Sequence, residues 1–146
     1  MAQITLCEIT KETLSTILKL EVNEYQKCFV ATNAKSIAQA HFEEKAWFRA
    51  ICADDTPVGF VMLYLDQEKA EYFLWRFMID RKFQSKGFGY MAMEIVIDMV
   101  RKFPNAEKFV LSFQSGEGNP SGFYSKLGFK ETGEVSEGER VMEKDL

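Results

Sequence analysis

The stretch from Glu71 to Phe103, EYFLWRFMIDRKFQSKGFGYMAMEIVIDMVRKF, limits what this chain can fold into more than any other part of it. Its first part, Tyr72 to Ile79, is an aromatic-rich apolar run that suits a strand covered on both faces, and it stops at Asp80. A charged, glycine-punctuated loop follows, Arg81 to Gly89. Apolar residues then recur at Phe88, Met91, Ala92, Ile95, Met99 and Phe103, the spacing of one helix face, while Glu94, Asp98, Arg101 and Lys102 are left for water. Pro104 ends the helix.

A strand, a glycine loop and a helix start in succession gather backbone N–H groups at the positive end of the helix dipole, which makes a site for an anion. Gly87 and Gly89 let the backbone approach a pyrophosphate with no Cβ in the way, and Arg81, Lys82 and Lys86 add positive charge. A nucleoside-triphosphate loop needs Lys and Ser or Thr after its second glycine, but Phe88 and Tyr90 flank Gly89 here. Gly87-Phe88-Gly89-Tyr90-Met91-Ala92 does satisfy the dinucleotide pattern G-x-G-x-x-G/A. A loop separates it from its strand, however, and too little chain follows for a second mononucleotide-binding half. Coenzyme A is the third class of ligand for such a site.

Gln84-Ser85-Lys86-Gly87-Phe88-Gly89 resembles the Q/R-x-x-G-x-G/A signature of the GCN5-related N-acetyltransferase (GNAT) family, and lies where that family has it, between a fourth strand and a third helix. A plain strand-to-helix turn would explain this segment alone. Downstream, Phe123-Tyr124-Ser125-Lys126-Leu127-Gly128-Phe129 resembles the family's Y-x-K-x-G-F segment, and the two matches come in the family's order. The resemblance implies an α+β fold with a mixed, mainly antiparallel central sheet flanked by helices. It also implies that strands four and five are parallel and splayed, with the pantetheine arm of acetyl-coenzyme A lying between them.

The rest of the chain accommodates this. Its 146 residues, 47% of them hydrophobic, support one sizeable core, hence a single domain over 1–146. Gln3 to Ile9 reads as a strand and Thr10 as the cap of a helix reaching about Val22; Asn23 to Asn33 has no clean period, and Ser36 can cap a helix from Ile37 to Glu44. Trp47 to Ala53 and Val58 to Asp66 suit strands joined by the turn Asp54-Asp55-Thr56-Pro57. Pro57, Pro104 and Pro120 are all expected between elements. Phe109 to Phe113 suits a fifth strand, parallel to the fourth because a helix connects them. Asn119 and Pro120 open a short helix to Leu127 that carries Tyr124, and Phe129 to Val135 with Glu139 to Lys144 make a last hairpin.

Composition narrows the partners. A formal net charge of −4 gives no basic field for nucleic acid, and the longest apolar run, Val58 to Leu65, is too short to cross a bilayer. With no basic-then-apolar leader at the N-terminus, the expected location is cytoplasmic. Cys7, Cys28 and Cys52 are odd in number and far from any metal-ligand spacing, so reduced thiols and no metal site are expected. Homodimers are common in the family, which extends to this chain as an expectation.

Acetyl transfer to an amine needs a neutral amine, a polarised carbonyl and a proton for the departing thiolate. In family register Tyr124 is the general acid. The donor-binding residues implied are Phe77, Met78 and Ile79 through their backbone, with Gln84, Ser85, Lys86, Gly87, Phe88, Gly89, Asn119 and Lys126. The chain departs from the family in two places: Glu117 stands where an asparagine is often found, so Asn119 serves equally as helix cap or cofactor contact, and the middle of strand four lacks the carboxylate that some relatives carry. Glu21, Glu24, His41 and Glu71 are therefore all candidates for the base, Glu71 being nearest in sequence to that strand.

Segments Phe29 to Asn33, Ser36 to Ala40, Leu74 to Asp80 and Thr132 to Glu134 are similar to bacterial spermine/spermidine acetyltransferases. This implies a polyamine or similar small amine as acceptor, met by Glu21 and Glu24 through charge and by Trp75 through cation–π contact. A peptide or aminoglycoside acceptor, or a non-catalytic coenzyme A-binding regulatory module, stays open at this point.

Overall fold

The computed structural model describes residues 2–146. The elements in order are β1 Ile4–Cys7, α1 Leu14–Lys19, a 3-10 turn Glu24–Gln26, α2 Asn33–His41, β2 Ala46–Ala53, β3 Thr56–Asp66, β4 Glu71–Ile79, a 3-10 turn Arg81–Phe83, α3 Phe88–Arg101, β5 Lys108–Gln114, α4 Ser121–Lys126, β6 Lys130–Ser136 and β7 Glu139–Asp145. The strands form one seven-stranded sheet in the order β1-β2-β3-β4-β5-β7-β6. Every pairing is antiparallel except β4 with β5.

The sheet is covered on both faces, and alternation along β3 divides its residues between two apolar layers. Val61 and Leu63 join Ala92, Met93, Val96 and Val100 of α3, whereas Phe60 and Met62 pack toward Ile17 of α1 and Ile37 of α2. Helix α3 buries Ala92, Met93, Val96, Ile97 and Val100, each large side chain contributing ~1.5–3 kcal/mol on burial. The face expected from spacing is turned: Ile95 is 37% exposed, while Met93 and Ile97 are inside. So many of the residues between Phe88 and Val100 are apolar that periodicity alone could not select the stripe that meets the sheet.

Other boundaries shift for local reasons. Helix α2 begins at Asn33, because the Thr32 hydroxyl accepts from the Lys35 N–H and caps it, four residues ahead of the expected Ser36 cap. Ser36 instead is buried inside the helix and donates to the Thr32 carbonyl. Pro57 lies within β3 rather than in the preceding turn, next to a bulge where Cys52 faces Pro57 and Ile51 faces Gly59. In the mixed segment after α1, a short turn is fixed by reciprocal bonds between Asn23 and Gln26.

Two irregularities in β4 position the site. Met62 faces Arg76 while Leu63 faces Leu74, so Trp75 is one extra residue opposite β3. Tyr72 and Leu74 before the bulge point into the α3 layer, as do Phe77 and Ile79 after it, whereas Trp75 and Met78 belong to the α1–α2 layer. The second irregularity is on the opposite edge, where β4 pairs with β5 only at Phe73 with Val110 and Leu74 with Leu111. Beyond Leu74 the two strands part.

Candidate active site

Where β4 and β5 separate, a cleft of about 710 Å³ opens between them. Its walls are Trp75, Arg76 and Phe77 of β4, Leu111, Ser112 and Phe113 of β5, and Tyr124 of α4. The segment from Lys27 to Ala31 with Lys35 and Gln39 of α2 closes one side, and Ser136, Glu137 and Glu139 of the β6–β7 hairpin close another. From Trp75 onward the β5-facing edge of β4 has no strand partner, so backbone polar groups there are left for something else to satisfy.

Tyr124 is held by a chain of rings. Phe77 stacks on Phe123 at 5.6 Å, Phe123 meets Tyr124 edge-on at 5.2 Å, and Tyr124 meets Phe129 edge-on at 5.8 Å. The residue is only 8% exposed, yet its hydroxyl has no hydrogen bond to any described residue and opens on the cleft. Burial pushes its ionisation well above the ordinary tyrosine range, so at neutral pH it carries its proton and can donate it.

Beyond the end of β4 lies the loop expected to bind phosphates. Gly87 precedes α3 with φ +84°, a left-handed conformation that costs a side chain energy, and the first bond inside the helix runs from the Met91 N–H to the Gly87 carbonyl. The N–H groups of Phe88, Gly89 and Tyr90 therefore have no protein acceptor, and no side chain caps them. A Cβ on Gly89 would lie 3.4 Å from both Ile79 and Phe123, so glycine lets the helix start sit close to β4 and α4. The open helix end and glycine loop fit a pyrophosphate, with exposed Lys82 and Lys86 nearby in sequence.

Buried Asp80 fixes this loop, its carboxylate accepting from the Glu21 N–H at 2.8 Å and the Lys82 N–H at 3.1 Å. The Gln84 side chain donates to the Ile79 carbonyl at 2.9 Å and to Gln26 at 2.9 Å, and accepts from Asn23 at 3.2 Å. Gln84 thus ties the loop to β4 and to the turn after α1.

The Acetyltransferase (GNAT) family model matches residues 12–129. The chain belongs to this family. It is accordingly an acyltransferase with acetyl-coenzyme A as co-substrate. Among curated relatives, a spermine/spermidine N(1)-acetyltransferase of Bacillus subtilis is 25% identical, the match covering 98% of this chain and 99% of the relative. Among solved structures, the PaiA N-acetyltransferase from Thermoplasma acidophilum in complex with coenzyme A superposes with TM-score 0.71 at 18% identity, covering 99% of each chain. A GNAT acetyltransferase from Elizabethkingia anophelis with acetyl-CoA bound gives TM-score 0.70 at 16% identity, covering 99% of this chain and 98% of that one. The fold expected from the sequence is the GNAT fold, parallel β4–β5 pair included.

Within this GNAT domain the expected site residues separate into groups. Phe77, Trp75 and Tyr124 come together at the cleft, while Met78 and Ile79 are buried at the far end of β4 beside the glycine loop. Asn119 is used internally: its Oδ1 accepts from the Ser121 N–H at 2.9 Å and its Nδ2 donates to the Gly116 carbonyl at 2.7 Å. Ser85 and Lys126 are exposed. Glu71 is exposed at the start of β4 and lines a separate hollow with Tyr64, Phe73 and Lys108.

Glu21 pairs with Lys27 and Arg81, each at 3.5 Å, and Glu24 with Lys27 at 2.7 Å; neither lines the cleft. His41 is exposed at the end of α2, edge-on to Phe42.

The cleft also holds groups not anticipated from sequence. Arg76 donates to Gln39 at 2.9 Å and to the Trp75 carbonyl at 3.0 Å; burial lowers its proton affinity and the charge of Glu139 opposes that. Glu139 accepts from the Ser112 hydroxyl at 2.7 Å. The Arg76–Gln39 and Ser112–Glu139 contacts join residues far apart in the chain, which periodicity cannot foresee. Cys52 is buried and its thiol pushed up to about 12, chiefly by that burial, so it is no nucleophile; no described residues form a metal-binding group, and no described helix is long and apolar enough to cross a membrane.

Proposed function

We propose that the chain moves the acetyl group of acetyl-coenzyme A to a primary amine of a small, polyamine-like substrate by direct attack. The observation that carries this reading is the hydroxyl of buried Tyr124, without a partner among the described residues, at the cleft where β4 and β5 part. The pyrophosphate of the donor would lie on the free N–H groups of Phe88, Gly89 and Tyr90, in reach of Lys82 and Lys86. The pantetheine arm would satisfy the open edge of β4, and backbone N–H groups around Phe77 to Ile79 would polarise the acetyl carbonyl.

The acceptor nitrogen, once neutral, attacks that carbonyl carbon. As the C–N bond forms and the C–S bond breaks, Tyr124 gives its proton to the sulfur and is reprotonated from the departing amine proton through water. A polyamine-like acceptor is supported by the full-length similarity to a spermine/spermidine acetyltransferase and by the carboxylates of Glu137 and Glu139 in the cleft wall. Trp75 lines the same cleft, with the Arg76 guanidinium 5.8 Å from its ring centroid.

The test is thiol release from acetyl-coenzyme A against a panel of spermidine, spermine, a lysine peptide and an aminoglycoside. Polyamines should give the highest kcat/KM. Turnover with a peptide or aminoglycoside and none with polyamines would move the acceptor to that class, and donor binding without any turnover would leave a coenzyme A-binding module.

A further inference from the structure

We infer that Glu139, held by Ser112, is the group that takes the proton from the acceptor ammonium. This rests on the acetyl-transfer reading above and adds to it the base that the middle of β4 lacks. Three observations carry it. Glu139 is half-buried in the wall of the same cleft into which Tyr124 points its unbonded hydroxyl, so acid and base would flank one space. Its carboxylate accepts from the Ser112 Oγ at 2.7 Å, and Ser112 lies on β5, beyond the last residue that pairs with β4. The other expected bases are elsewhere: Glu21 and Glu24 are engaged with Lys27, Glu71 lines the other hollow, and His41 is exposed on α2.

The charged groups around Glu139 are compatible with the role. Arg76 of β4 interacts with it through charge, Lys27 and Lys35 approach the cleft from the α1–α2 side, Glu137 lies on the same hairpin, and Tyr124 of α4 is neutral. The adjoining cation Arg140 is occupied by Glu131. Ser112 holds one of the carboxylate oxygens so that the other can face an incoming ammonium. In the step itself the ammonium gives one proton to the Glu139 carboxylate, leaving a neutral amine whose lone pair forms the C–N bond. The carboxylic acid then returns its proton to water.

The experiment compares wild type with Glu139→Gln and Ser112→Ala, measuring kcat/KM for spermidine from pH 6.5 to 9.5 and acetyl-coenzyme A affinity by calorimetry. Donor affinity should be unchanged in both variants, which shows that they fold and that the loss lies on the acceptor side. At pH 7, Glu139→Gln should lose about 10²-fold, in the ordinary range for a general base. The deficit should shrink by roughly tenfold per pH unit, because an alkylamine of pKa ~10 deprotonates itself increasingly as pH rises. Ser112→Ala, a positioning variant, should lose roughly three- to tenfold with the same recovery.

A Glu139→Gln deficit that is equal at every pH, or absent, while wild type turns over would overturn the role of Glu139 alone. If wild type itself acetylates no amine on the panel, the acetyl-transfer reading falls and this role with it.

Discussion

The two edges of β4 are chemically alike and used in opposite ways. Toward β3 the strand is paired along its length, from Glu71 opposite Asp66 to Ile79 opposite Gly59, with one bulge. Toward β5 the pairing stops at Leu74. Since an unpaired buried backbone group costs ~1–3 kcal/mol, an open edge in the middle of a sheet persists only where water or a ligand meets it. One edge of the strand holds the fold together, and the other is left open beyond Leu74.

This contrast predicts that damage to the open side costs catalysis and damage to the paired side costs stability. The largest effect belongs to Tyr124→Phe. Removing a hydroxyl that bonds to no described residue, while keeping the ring between Phe123 and Phe129, should lower kcat by ~10²–10⁴ with thermal stability and donor affinity nearly unchanged. A phenylalanine variant with parental kcat, under conditions where chemistry limits turnover, would remove the general-acid role. Because folded Tyr124 ionises above the ordinary value of ~10, wild-type kcat should show no alkaline decline from this group below about pH 10. The same shift has a stability consequence with a definite sign. The contribution of neutral Tyr124 is fully present below the unfolded value and is lost as pH rises toward the folded one, so urea unfolding should weaken only at the alkaline end.

On the paired edge, Gly59→Ala places a Cβ against the Met78 carbonyl oxygen, well inside van der Waals contact, and 2.9 Å from Ile79 Cδ1. Backbone must move, and a loss of ~1–3 kcal/mol in chemical denaturation is expected, with kcat per folded molecule largely kept. Loss of kcat without loss of stability would erase the distinction between the edges.

Gly87→Val probes the phosphate loop with a smaller effect, because the added Cβ meets nothing closer than Met91 at 4.0 Å. The penalty is the left-handed φ of +84°, ~1–2 kcal/mol, which calorimetry should read as roughly tenfold weaker acetyl-coenzyme A binding. Unchanged affinity in a folded variant would detach the donor from this loop. Smallest should be the response of spermidine KM to added salt, a rise of several-fold at most, since exposed carboxylates such as Glu137 are screened over ~8 Å at physiological ionic strength.

What could be read from the sequence follows how local the information is. The succession of β4, glycine loop and α3 was legible because strand, turn and helix each carry their signal within a few residues, and Tyr124 stood in a recognisable segment. The orientation of α3 was not, since residues from Phe88 to Val100 are apolar around much of the helix and only contact with the sheet selects Met93 over Ile95. Acidic residues in the first third of the chain suggested a cation site, but Lys27 and Arg81 lie beside them and take up their charge. Glu139 had no local signal at all; its meaning comes from Ser112 on a neighbouring strand and from Arg76 across the cleft.

The extra residue at Trp75 sets the parity of everything after it. Up to Leu74 the even-numbered positions of β4 face the α3 layer, and from Phe77 onward the odd-numbered ones do. Trp75 and Arg76 both lie on the α1–α2 side, so deleting Trp75 would restore plain alternation, with Leu74 and Phe77 still facing the α3 layer and Arg76 between them, and would remove the bulge just where β4 leaves β5. Adding one residue there instead would act as a frameshift in space, turning Phe77 and Ile79 out of the layer that supports Phe123 and Tyr124.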